Sequence, residues 1–101
     1  MVRRVQFHPL ARTDLLDLYS YIERQSGPDR AGGYLDRIER LCVSLAEFPE
    51  RTTPRDDLVP GLRTVAMERR VLVALTVTDQ AVTILRVLYA GREFQAEDLP
   101  H

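Results

Sequence analysis

Apolar side chains recur at spacings of three and four from residue 10 to about residue 25, which predicts an amphipathic helix. Ala11, Leu15, Leu18 and Ile22 form its stripe. Asp14, Asp17 and Arg24 read as lying off that stripe or at its edge, facing solvent, and Tyr19 and Tyr21 flank it. Ahead of the helix, Val5 and Phe7 alternate with Arg4 and Gln6, which predicts a strand over 2–7. Pro9 then presets φ for a first helical turn. Ser26-Gly27-Pro28 is a stop and a restart. A second helix follows over about 29–47, with Ala31, Tyr34, Leu35, Ile38, Leu41, Cys42 and Leu45 as its apolar positions. So short a connection predicts an antiparallel helical hairpin. Asp36 and Arg40 make an i, i+4 pair in the favourable order. Gly32 and Gly33 weaken a helix interior, and close approach of the neighbouring helix is their expected reason.

The periodicity is lost from Phe48 to Pro60, a loop carrying Pro49, Pro54 and Pro60 among charges. Three strand-like runs follow: 62–67, 71–77 and 81–89. The middle one is almost continuously apolar, as a central strand is. Glu68-Arg69 and Thr78-Asp79-Gln80 are short enough for hairpin turns. The order β-α-α-β-β-β predicts an α+β fold, a helical hairpin on one face of a small antiparallel sheet. The other sheet face is then open. The polar tail, 93–101, is expected to be mobile or ordered by a partner.

At 101 residues there is room for one domain, 1–101. Net charge is −1, from 14 basic and 15 acidic residues, which argues against a dedicated nucleic-acid binder. All the basic residues are Arg, so no Lys is available as a Schiff-base former or general base. Cys42 is the single cysteine, and His8 and His101 lie at opposite ends, which excludes paired-cysteine zinc sites and leaves no metal-ligand spacing. Cys42 reads as a small core residue. The basic start lacks an apolar h-region, so no signal peptide is expected, and the longest apolar run is far short of a membrane span. The expected location is cytoplasmic, with no membrane partner. No catalytic constellation or cofactor motif is present in the pattern.

Arginine is the chemistry that remains. Arg63 opens a strand after Pro60-Gly61-Leu62, and Arg86 lies inside the last strand, pointing away from Leu85 and Val87. Two such guanidinium groups suit a bidentate carboxylate or phosphate, or else pair with nearby acids such as Asp56, Asp57 or Glu93. Tyr19, Tyr21 and Tyr34 add aromatic area around the helices, where a partner segment can dock.

Five segments together carry a family resemblance. They are Leu10-Ala-Arg-Thr-Asp-Leu-Leu-Asp-Leu-Tyr-Ser-Tyr-Ile, Ala31 with Tyr34-Leu35, Leu45-Ala-Glu-Phe-Pro49, Pro60-Gly-Leu-Arg63 and Ile84-Leu-Arg-Val-Leu-Tyr-Ala-Gly-Arg92. In this order and spacing they resemble the RelE/ParE superfamily of toxins from bacterial type II toxin–antitoxin systems. RelE-type members cut mRNA on the ribosome with basic residues and a tyrosine. ParE-type members keep the scaffold and act on DNA gyrase. Arg63 and Arg92 match basic positions of the ribonuclease group, but its lysines and tail tyrosine are missing here. Many relatives also carry a tyrosine in the strand where this chain has Ala74 or Leu75.

The resemblance therefore implies a ParE-like toxin without a catalytic residue of its own. It would be held by a ParD-type antitoxin whose own domain binds operator DNA. It implies antitoxin contacts at Tyr19, Tyr34, Arg63 and Arg86, and gyrase contacts among Arg92, Glu93 and Phe94. The alternative is a RelE-type ribosome-dependent ribonuclease.

Overall fold

A computed structural model describes residues 3–89 and 95–100. The strand β1 is Arg4–Phe7, and α1 is Pro9–Ser26. His8 caps α1, its Nδ1 accepting from the Leu10 N–H at 3.1 Å. Gly27 alone joins α1 to α2, Pro28–Ser44. Its φ of 89° lies where L side chains are strained. Its N–H reaches back to the Glu23 carbonyl at 2.9 Å, and its own carbonyl accepts from Ala31 at 3.2 Å. One residue thus ends one helix and starts the next, and Pro28 fills the first turn, where no N–H is needed.

A 3₁₀ turn, Pro49–Arg51, and a two-residue strand β2, Thr53–Pro54, lie inside the segment expected to be loop. β3 is Arg63–Met67, β4 Val71–Val77 and β5 Ala81–Tyr89. The sheet has five strands in the order β1-β5-β4-β3-β2. The α+β reading holds, but the sheet is mixed: β1 pairs parallel to β5, and the other neighbours are antiparallel. Parallel pairing needs a long crossover, and the whole helical hairpin serves as part of it. Pro54 is tolerated because β2 is an edge.

The first core cluster lies between the hairpin and the sheet. Ala11, Leu18 and Ile22 of α1 and Ile38 and Cys42 of α2 meet Val71, Val73, Leu75, Val82, Ile84 and Val87. Cys42 is fully buried, as expected of a core thiol. The second face is not open. Leu58, Val59 and Leu62 from the loop and Leu99 from the C-terminal segment cover Leu72, Ala74, Leu85 and Leu88 there. The segment read as a polar tail thus contributes an apolar side chain, after a 3₁₀ turn, Ala96–Asp98, closed by reciprocal Gln95 and Asp98 side-chain bonds. The loop is shaped by Gly61 at φ 82°, whose N–H donates to Asp56 Oδ1 at 2.8 Å.

A register shift at Ala74/Leu75 sets Ala74 opposite Arg86 but Leu75 opposite Ile84, leaving Leu85 as an extra residue of β5. The bulge reverses the alternation. Val82 and Ile84 face the helices before it, and Val87 faces them after it.

Candidate functional site

β5 outruns its parallel neighbour. β1 ends at Phe7, opposite Ile84, and the chain leaves the sheet as His8 N–H donates to the Ile84 carbonyl at 2.8 Å. From there to Tyr89 the outer edge of β5 has no strand against it among the described residues. Asp14 of α1 closes part of that edge. Its carboxylate accepts from the Val87 N–H at 2.9 Å and from Arg86 Nε and Nη2 at 2.7 and 2.9 Å. Arg86 Nη1 then donates to the Asp98 carbonyl at 2.6 Å. One guanidinium thereby ties α1, β5 and the C-terminal segment together.

Asp14 was expected on a solvated face; its side chain is instead only 12% exposed, against 18% for Arg86. The cause is the three charge-assisted bonds, which make burial of a carboxylate tolerable. The Arg86 pKa is pushed further above its ordinary value by its hydrogen bonds to Asp14, against an opposing effect of burial.

Along the same edge, α1 and β5 frame a groove lined by Asp17, Leu18, Tyr21, Leu88 and Tyr89. It meets a larger one, of about 560 Å³, at the end of the hairpin. Tyr21 and Tyr89 line both. The walls of the larger groove come from the last turn of α1, the first turns of α2, the β3–β4 turn and the end of β5. Tyr89 is the hub of its aromatic shelf. Tyr21 stacks edge-on against it at 5.5 Å between ring centroids, and Tyr34 does so at 6.1 Å.

The Arg37 guanidinium lies 4.9 Å over the Tyr34 ring and pairs with Glu68 at 3.1 Å. Arg30 and Arg70 also line the groove, against one acid, Asp29. The Tyr34 hydroxyl is shielded from solvent and has no hydrogen-bond partner among the described residues. Burial, then the nearby Glu68, raises its pKa above the ordinary phenol value.

Gly33 is part of the groove wall. The expected reason for Gly32 and Gly33 fails. A Cβ built on either meets nothing within 4 Å, so no neighbouring helix needs their small size. Both are exposed, because Ala31, Ile38 and Cys42 form the buried face of α2. Each still costs the helix roughly 1 kcal/mol against alanine.

The four residues expected to hold an antitoxin are dispersed. Tyr34 is in the larger groove. Tyr19 packs, partly buried, against the first core cluster. Arg86 borders the α1–β5 groove but is already tied to Asp14. Arg63 lies apart from both, and pairs with no acid among the described residues. Its Nε donates to the buried Thr52 hydroxyl, and its Nη2 to the Thr52 carbonyl at 2.8 Å, holding the 3₁₀ turn against β3. Arg55, not Arg63, takes Asp57, through two bonds of 2.9 and 3.0 Å. Arg92, Glu93 and Phe94 lie outside the described residues.

Tyr21 was read as aromatic area beside the helical stripe, with Tyr19 and Tyr34, whereas Tyr89, Arg37 and Arg70 were not singled out as site residues. Tyr89 and Arg70 lie beside predicted strand ends, a signal that could have found them, whereas Arg37 lies mid-helix and carries none. Among the described residues no group of His, Cys, Asp and Glu is placed to hold a metal ion, and no helix is long and apolar enough to cross a membrane.

The family model of the ParE toxin of the type II toxin–antitoxin system parDE matches residues 5–94. The chain belongs to the ParE toxin family. Its fold is similar to a chain of the chromosomal ParDE system from P. aeruginosa, with a TM-score of 0.76 and 23% identity, over 88% of this chain and 97% of that one. It is also similar to a chain of the RelBE2 toxin–antitoxin complex from Mycobacterium tuberculosis, at TM-score 0.64 and 21% identity, over 91% and 95%. No curated protein sequence matches. In this ParE-family chain the matched span includes α1, α2, all five strands and both grooves.

Proposed function

We propose that this chain is the toxin of a ParDE-type module, inhibiting DNA gyrase by binding it and neutralised by a ParD-type antitoxin. The observation that carries this reading is the ParE family match over nearly the whole chain. The surface supports it. The open edge of β5 and the two grooves meeting at Tyr21 and Tyr89 form a continuous concave strip, suited to an extended or helical partner segment. An antitoxin segment that is disordered alone would fold as it fills such a strip. Ala74 and Leu75, where many relatives carry a tyrosine, are both fully buried in this chain. That supports a binding toxin over a nuclease. Operator DNA would be reached only through the antitoxin.

Inducing the chain in a bacterial host, with thymidine, uridine and methionine incorporation followed together, tests the reading. DNA synthesis is expected to stop first, and co-expression of the antitoxin to restore it. Translation stopping first would replace the reading with a ribosome-dependent ribonuclease. Absence of growth arrest from a folded chain would leave only antitoxin binding.

A further inference from the structure

The groove at the hairpin end combines four features. Arg30 and Arg70 line it without an ion-pair partner among the described residues. Arg37 adds a third guanidinium, paired with the exposed Glu68 at the groove's edge. The Tyr34 hydroxyl is shielded and lacks an acceptor among the described residues. Gly33 presents helix backbone without a Cβ on the groove wall, although a Cβ there would meet nothing within 4 Å; its carbonyl accepts from Arg37 Nη1 at 3.5 Å.

These features are complementary to one kind of occupant. Guanidinium groups recognise carboxylates with directed N–H bonds. An orphaned phenol seeks an oxygen acceptor. A helix face without Cβ atoms lets another backbone come close. Tyr21, Tyr34 and Tyr89 supply apolar walls with little rotamer entropy to lose.

We infer that this groove is the docking site of an acidic peptide segment, one carboxylate lying between Arg30 and Arg70 and its backbone passing over Gly33. The inference rests on the antitoxin reading above, and the segment belongs to the antitoxin. A nucleic-acid strand would also satisfy the arginines. The chain's net charge of −1 and the rim carboxylate of Asp29 disfavour a polyanion.

The Gly33 wall gives the test a readout of opposite signs. Gly33→Leu should raise the melting temperature of the free toxin, because leucine is the better helix former and its Cβ meets open space. It should also fill the groove and weaken the complex. The measurement is titration calorimetry of the antitoxin from the adjacent reading frame into the full chain and its variants, at low and high salt. Each variant's melting temperature is recorded by circular dichroism.

Arg30→Glu and Arg70→Glu should each lose affinity at least tenfold while the melting temperature stays put. Gly33→Leu should lose affinity while melting higher. An acid-to-Arg change in the antitoxin segment should restore binding to the Glu variants. Unchanged affinity in all three variants, with the unmodified pair binding tightly, would overturn the groove assignment and leave the antitoxin reading standing. No binding by the unmodified chain would overturn both. Binding of a single-stranded oligonucleotide that the Glu variants abolish, with antitoxin affinity intact, would assign the groove to nucleic acid instead.

Discussion

Asp14 lies three residues after Ala11 and four before Leu18, both buried, so it belongs to the inward face of α1. A carboxylate there requires a partner, and Arg86 with the Val87 N–H supplies it. Removing one member strands the other. Asp14→Ala is expected to cost about 3 kcal/mol in urea unfolding, the usual penalty for breaking a buried pair. Asp14→Leu with Arg86→Met should recover much of that loss. If Asp14→Ala cost no more than an exposed carboxylate change, the tie would be ornamental.

Cys42 gives a second test at this scale. Burial, then the charge of Glu39, pushes its thiol up to about 12. The folded state therefore keeps a proton that the unfolded thiol releases near its ordinary pKa of about 8.5. This term is fully present below that pH and is lost as pH rises toward 12. Iodoacetamide at pH 8 should leave the folded chain unmodified and label it fully in denaturant. Rapid labelling without denaturant would mean the hairpin opens far more often than its packing implies. Cys42 was legible from its apolar helical position. Asp14 was not, because its partner is 72 residues away and no local spacing points to it.

Among the elements, the β3–β4 hairpin is the most exacting. Glu68 and Arg69 sit at φ 54° and 60°, the two central positions of a type I′ turn, closed by Arg70 N–H to the Met67 carbonyl at 3.1 Å. Residues with a Cβ are disfavoured there, so Arg69→Gly should stabilise the chain by about 1 kcal/mol, read as a shift of the urea midpoint at constant slope. A loss of stability would show that the Arg69 side chain does something the backbone geometry does not reveal.

The two helices and the three hairpin-linked strands were legible because hydrophobic periodicity and turn residues are local signals. β1's parallel partnership with β5 was not, since Gln6 and Thr83 are 77 residues apart. Nor was the Leu85 bulge, which breaks the alternation that placed Arg86. The glycine pair in α2 was visible but misread, because an open helix face and a close helix contact favour the same residue.

On the scale of the whole molecule, the strip from the β5 edge to the hairpin end is the concave surface, because the sheet's second face is packed. The loop through Leu62 and the segment bearing Leu99 cover that face, and Arg86 ties this cover to α1 through Asp98 and Asp14. The family was legible in five weak motifs because their order and spacing follow the order of the elements. The dispersal of Tyr19, Tyr34, Arg63 and Arg86 was not, since it depends on which neighbour each side chain meets after folding.

The proposed inhibition of gyrase by binding is tested most directly by a supercoiling and DNA-cleavage assay with purified chain and gyrase, with and without the antitoxin. Loss of supercoiling with linear plasmid accumulating, reversed by the antitoxin, is the predicted result. Unimpaired supercoiling in the presence of folded chain that arrests growth would contradict it.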